Sequence, residues 1–192
     1  MNKKTVALTK EQYKLIINTI REGFIDNNKP FRPNNRLATI LVLQANLGLR
    51  ISDILNLKLN SFVKDGNRYR LDIIEQKTSK TRTFTVPTEI YNFIKMYVLE
   101  NKIKPTARIF PIGERAVQKQ LKLVVEHLGL SNNISTHSFR KYYATEIYIN
   151  NNYNIALVKE LLQHSSVSTT QRYIGVGQQE LEQAIENHIC LL

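Results

Sequence analysis

Residues 37–49, LATILVLQANLGL, are apolar on nearly every face of a helix, and this stretch limits the possible folds more than any other. A helix with no polar face cannot lie on a surface, so other elements must enclose it on all sides. A chain of 192 residues is long enough to do so around one core. The expectation is therefore a single domain, residues 1–192, with residues 1–8 as a loosely ordered start.

The flanking sequence supplies the enclosing elements. Thr9 with Gln12 three residues on fits a capping box, and Leu15, Ile16, Ile17, Ile20 and Phe24 carry a helical period to about Asn27. NNKPFRPNNR, residues 27–36, reads as a loop, and Gly48 ends the apolar helix. Ser52 is placed to cap a short helix, DILNL.

From Ser61 to Val86 the period changes to two. SFV, a turn over 64–67, RYRLDII, a turn over 78–80 and RTFTV predict a three-stranded antiparallel meander. Helices are then predicted over about Glu89–Asn101, over a segment closed by Gly129, from Ser135 or Thr136 to about Asn150, and over Ile155–Leu162. A last helix covers residues 178–189 or so, with Leu181, Ile185 and Ile189 on one face. The fold class is α+β, mostly helical, with one small three-stranded antiparallel sheet.

Charge is the first hint of a partner. The net formal charge is +11, and residues 1–96 hold 17 Lys and Arg against 8 Asp and Glu. So large a basic excess attracts polyanions. The single cysteine, Cys190, excludes an internal disulfide and a multi-cysteine zinc site, in keeping with a reducing compartment. With no apolar run of membrane-spanning length and no apolar segment near Met1, a cytoplasmic location is expected. Walker loops, GxGxxG turns and HExxH pairs are absent from the sequence.

Four short segments carry the chemistry: GLRISDIL with Arg50 and Asp53, QKTSK with Lys77, THSFR with His137 and Arg140, and LLQHSSVSTTQRYIG with His164 and Tyr173. Taken singly, each has an ordinary explanation: a surface arginine, a hairpin lysine, a capping histidine, one tyrosine among nine. Arg, Lys, His-x-x-Arg, His and then Tyr nine residues later, in that order in a basic chain, resembles the tyrosine recombinase family of phage integrases and Xer-type recombinases. The likeness runs over roughly residues 10–190. Most integrases carry a separate helical DNA-binding domain before the catalytic one, so the chain is expected to be either a single-domain enzyme similar to the short fimbrial-switch invertases or a fragment of a longer protein.

The resemblance implies a DNA breaking and rejoining enzyme that works through a covalent 3′-phosphotyrosine, with no cofactor, metal or ATP. Tyr173 would be the nucleophile, Arg50, Arg140 and His164 the donors to the phosphate, Lys77 the general acid, and His137 an aid to proton transfer. Asp53 would orient His137 or an arginine. Lys64, Arg68, Arg70, Lys80 and Arg82 on the meander would grip the DNA backbone. Tyr173 is expected on a short polar segment able to move. Implied partners are double-stranded DNA, further copies forming a tetramer on DNA from monomers in solution, and accessory bending proteins. Residues 178–192 have two readings: the helix covers its own core, or, as the resemblance implies, it passes to a neighbouring copy in such a tetramer. Two other functions fit the same residues: a catalytically silent DNA-binding regulator of this fold, and a type IB topoisomerase.

Overall fold

The computed structural model describes residues 5–26, 28–75, 79 and 81–174. Lys77, Lys80 and the helix expected over 178–189 lie outside the described residues. The chain divides into two compact units between Tyr143 and Ala144. Among the described residues there are eight α-helices and five strands, and no helix is long and apolar enough to cross a membrane.

The first unit is built round α2, Asn35–Leu47, which is the apolar stretch. Asn34 caps its start by accepting from the Leu37 N–H at 2.9 Å. Leu37, Ile40, Leu41, Leu43 and Leu47 are all buried, each contributing on the order of 1.5–3 kcal/mol by leaving water. Its neighbours present one apolar face each: Ile16, Ile17 and Ile20 from α1 (Lys10–Glu22), Ile94 and Val98 from α4 (Thr88–Glu100), and Val117, Leu121 and Val124 from α5 (Glu114–His127). The capping box at Thr9 and Gln12 is present.

Two elements of this unit differ from the sequence reading. Helix α1 stops at Glu22 rather than near Asn27, because Gly23 turns the backbone to φ +75°. The residues beyond it form a hairpin, β1 (Phe24–Asp26) against β2 (Lys29–Phe31), where a loop was expected. Stacking of Phe24 on Phe31, with ring centroids 4.8 Å apart, and of Phe24 on His127 of α5 holds the hairpin down. There are thus two small sheets rather than one.

The second sheet is the expected meander: β3 (Phe62–Asp65), β4 (Arg68–Ile74) and β5 (Thr81–Val86), antiparallel in the order β3-β4-β5. Phe62 pairs with Leu71 and Leu71 with Phe84, which turns this side chain row toward the core. Helix α6, Thr136–Asn150, runs across the division between the units.

In the second unit, α7 (Ile155–Leu162) matches its expected span, and Asn154 caps it by accepting from the Leu157 N–H at 3.0 Å. The short polar segment after His164, for which no helix was predicted, forms one, α8 (Val167–Ile174). Ser166 explains it: its hydroxyl accepts from the Thr169 N–H at 3.2 Å, and Thr170 and Ile174 then bury one face.

Gly48 is a position of this fold with little room to change. It closes α2 in the left-handed conformation, φ 59° and ψ 22°, and a Cβ there would run into the ring of Tyr143. Gly48→Ala is expected to cost about 1–2 kcal/mol for the backbone and a similar further amount for the overlap. Urea unfolding should show a midpoint lowered to match, with the slope unchanged.

Candidate active site

The turn between α2 and α3 (Ile51–Leu55) is where two of the expected residues meet. Gly48 reverses the chain, and Arg50 becomes the N-terminal flanking residue of α3, extended at φ −69° and ψ 153°. Helix α3 thus starts one residue after Arg50, ahead of Ser52, which therefore does not cap it.

Arg140 comes to the same turn from α6. It is the largest fully buried side chain among the described residues, at 1% exposure, and its Nη1 donates to the Gly48 carbonyl at 2.7 Å. A buried guanidinium needs hydrogen bonds to offset its lost hydration, and a carbonyl left without an amide partner at the end of α2 suits it. Arg140 is thereby tied two residues away from Arg50. The next residue, Lys141, is also nearly buried, and its Nζ donates to the Thr5 carbonyl at 2.7 Å.

A second tie was not visible in the sequence. Gln44 is fully buried on α2, and its amide bridges the start of α6 to the start of α3. Its nitrogen donates to the Thr136 carbonyl at 2.8 Å, and its oxygen accepts from the Ile51 N–H at 3.3 Å. His137, one residue beyond Thr136 and exposed, stands in the first turn of α6. A glutamine amid the apolar residues of α2 was the signal in the sequence.

Arg50 itself reaches Glu75, the residue just past β4, with Nη1 2.5 Å from Oε2. Glu75 is 1% exposed and the Arg50 side chain 20%. Glu75 is the other residue that sequence reasoning missed. Its signal was weak, an acidic residue continuing the inward alternation of Leu71 and Ile73. Asp53 is buried on α3 and lines a cavity of about 370 Å³ together with Asn56, Lys58, Ser61 and Arg108.

The second unit holds the remaining pair. His164 follows α7, and Tyr173 lies on α8, half-buried, with its ring edge-on to the imidazole at a centroid separation of 5.0 Å and 72° between planes. His164 Nδ1 lies 3.0 Å from the Thr170 hydroxyl, which fixes the ring from the other side. The spacing of nine residues that stood out in the sequence is thus the distance needed to bring the phenol back over the imidazole after a capped turn of helix.

The meander cations are less uniform than their sequence suggests. Arg68 pairs with Asp65, and the Arg70 Nε and Nη2 fork engages Asp72 at 3.2 Å, so both are partly neutralised on their own sheet. Lys64 pairs with Tyr69 and therefore lies on the opposite face from Arg68 and Arg70. Arg82 stands opposite Ile73 on β5.

Comparison with known proteins now decides the kind of chain this is, because a match to the phage integrase family spans residues 7–180. The chain belongs to that family. It is 31% identical over 154 residues to the tyrosine recombinase XerC of Bradyrhizobium diazoefficiens, covering 76% of this chain and 47% of that protein. It is 29% identical over 196 residues to the XerC of Caldanaerobacter subterraneus, covering 95% of this chain and 51% of that one. The chain thus spans about half the length of these relatives.

Solved structures show the same fold. The XerH site-specific recombinase bound to a palindromic difH substrate superposes with a TM-score of 0.70 at 21% identity, over 96% of this chain and 54% of that one. The catalytic domain of bacteriophage HP1 integrase gives 0.64 at 20% identity, over 96% of each chain. The fold of this integrase-family chain is therefore that of a tyrosine recombinase catalytic domain.

The Arg70–Asp72 pair makes a prediction of its own. The Thr83 hydroxyl, donating at 2.8 Å, and then Arg70 hold the Asp72 carboxyl below its ordinary range. Because the folded value is the lower one, the pair's contribution is present at neutral pH and lost as pH falls through that value. A carboxyl-carbon NMR titration should place the Asp72 midpoint below ordinary aspartate, and Thr83→Val should raise it.

Proposed function

We propose that this chain is the catalytic part of a site-specific DNA recombinase that cuts and rejoins strands through a covalent 3′-phosphotyrosine. The observation that carries the reading is the turn at Gly48, to which Arg50 is joined by sequence and Arg140 by a hydrogen bond. Two guanidinium groups anchored within two residues of each other suit a phosphodiester, whose transition state gathers charge on two non-bridging oxygens. Membership of the integrase family and the recombinase names of the relatives support it.

In this reading Tyr173 attacks the scissile phosphate. A phenol of pKa about 10 is a poor nucleophile until cations lower the cost of its phenolate, a task for His164 beside it and for the two arginines. The new phosphotyrosine bond keeps the energy of the broken phosphodiester, so rejoining needs no ATP. The departing 5′-oxygen takes a proton from Lys77, while His137 assists on the tyrosine side and Asp53 supports the arginine and histidine set from within. Fixed cations perform the charge stabilisation, so the reaction as proposed needs neither metal nor cofactor.

Double-stranded DNA is the partner that the basic first half of the sequence suits. Lys64, Arg68, Arg70, Lys80 and Arg82 would contact phosphates, with Arg68 and Arg70 exchanging their carboxylate partners for the backbone. Assembly of four copies on DNA, accessory bending proteins and action in the bacterial cytoplasm belong to the same proposal.

The test uses a nicked suicide duplex carrying the recognition site, found from repeats flanking the gene. The wild-type chain in EDTA should form an SDS-resistant adduct, and Tyr173→Phe should form none. Arg50→Ala should slow adduct formation about 100- to 1,000-fold, the usual cost of removing one donor from such a site. Duplex binding without any adduct from the wild type would point to the silent regulator instead.

A further inference from the structure

Glu75 belongs to neither the expected site nor the meander cations, yet its Oε2 lies 2.5 Å from Arg50 Nη1. Its place is unusual for a carboxylate. It continues the inward face of β4, where Leu71 is fully buried, and is itself only 1% exposed. A buried acid costs several kcal/mol unless a cation meets it, and the Arg50 guanidinium meets this one.

The geometry points to Glu75 as the positioning residue of Arg50, a role that rests on the recombinase reading above. Arg50 flanks α3 without a side-chain cap bond, so capping does not set its direction. Glu75 sets it. A planar guanidinium held at Nη1 from inside, and at its stem by the α3 turn, has its plane fixed, with the partly exposed edge directed outward. The fork is thereby aimed before any phosphate arrives, and the protein need not order a long flexible side chain at the moment of reaction. The acid also ties the end of β4 to the turn that anchors Arg140, so the sheet and the arginine pair keep one register.

Glu75 touches no DNA in this account, so its effect must pass through Arg50. Single-turnover adduct formation on the suicide duplex and equilibrium duplex binding should be measured for Glu75→Gln, Glu75→Asp, Arg50→Ala and the double variant Arg50→Ala/Glu75→Gln, with thermal unfolding as a control. Glu75→Gln should slow adduct formation about tenfold, or about 1.4 kcal/mol of barrier, with duplex affinity within twofold of wild type. Glu75→Asp keeps the charge balance and guards against loss of folding in the amide variant. It should also be slow, because the shorter acid no longer holds Nη1 in place. On the Arg50→Ala background the Glu75 change should alter the remaining rate by less than twofold.

Wild-type rates in both folded Glu75 variants would overturn the inference, as would full additivity with Arg50→Ala. A faster Glu75→Gln would also overturn it, showing that the acid blocks Arg50 rather than aims it. A wild-type chain that forms no adduct counts against the recombinase reading itself and is seen before any variant is compared.

Discussion

The hydrogen bond from Arg140 to the Gly48 carbonyl is the contact on which the organisation of the first unit's site depends. It joins α6 to the end of α2 and resolves two burial problems together, a guanidinium out of water and a helix-terminal carbonyl without an amide donor. The left-handed Gly48 makes it possible, since only a residue without a Cβ lets the chain reverse there against Tyr143. Gln44 repeats the logic one turn earlier, using a buried amide to bind the start of α6 to the start of α3. The apolar mass of α2 supplies the stability that lets these polar groups be buried.

Three arginines of the first unit are each paired with an acid. Arg50 has Glu75, Arg68 has Asp65 and Arg70 has Asp72. The two exposed pairs on the meander are worth little to stability. The pair at Arg50 differs because its acid is buried, which turns it from a mobile counter-charge into a fixed mount. The same residue type therefore does two things, according to whether its partner lies in water or in the core.

Much of this was legible in the sequence, for identifiable reasons. The largely apolar run over 37–49 pointed to a central helix, and the Gly66–Asn67 and Pro87 punctuation marked the meander and the helix after it. His137 and Arg140, and the nine-residue step from His164 to Tyr173, showed as spacing. What escaped was set by tertiary contacts. The β1–β2 hairpin hides behind Pro30 and a run of asparagines and is held by aromatic stacking on α5. Helix α8 is rich in Ser and Thr, poor helix formers, and exists because Ser166 caps it and Thr170 and Ile174 have a core to enter. Glu75 and Gln44 look like unremarkable polar residues until the fold closes over them, and Lys77 falls outside the described residues.

The central claim is that the phenol of Tyr173 becomes esterified to a DNA phosphate, and mapping the linkage tests it most directly. After trapping on the suicide duplex, nuclease and protease digestion should leave one peptide bearing a nucleotide. Fragmentation mass spectrometry should place a 3′-phosphonucleotide on Tyr173, within the sequence SSVSTTQRYIG. A nucleotide carried by any other side chain would contradict the account.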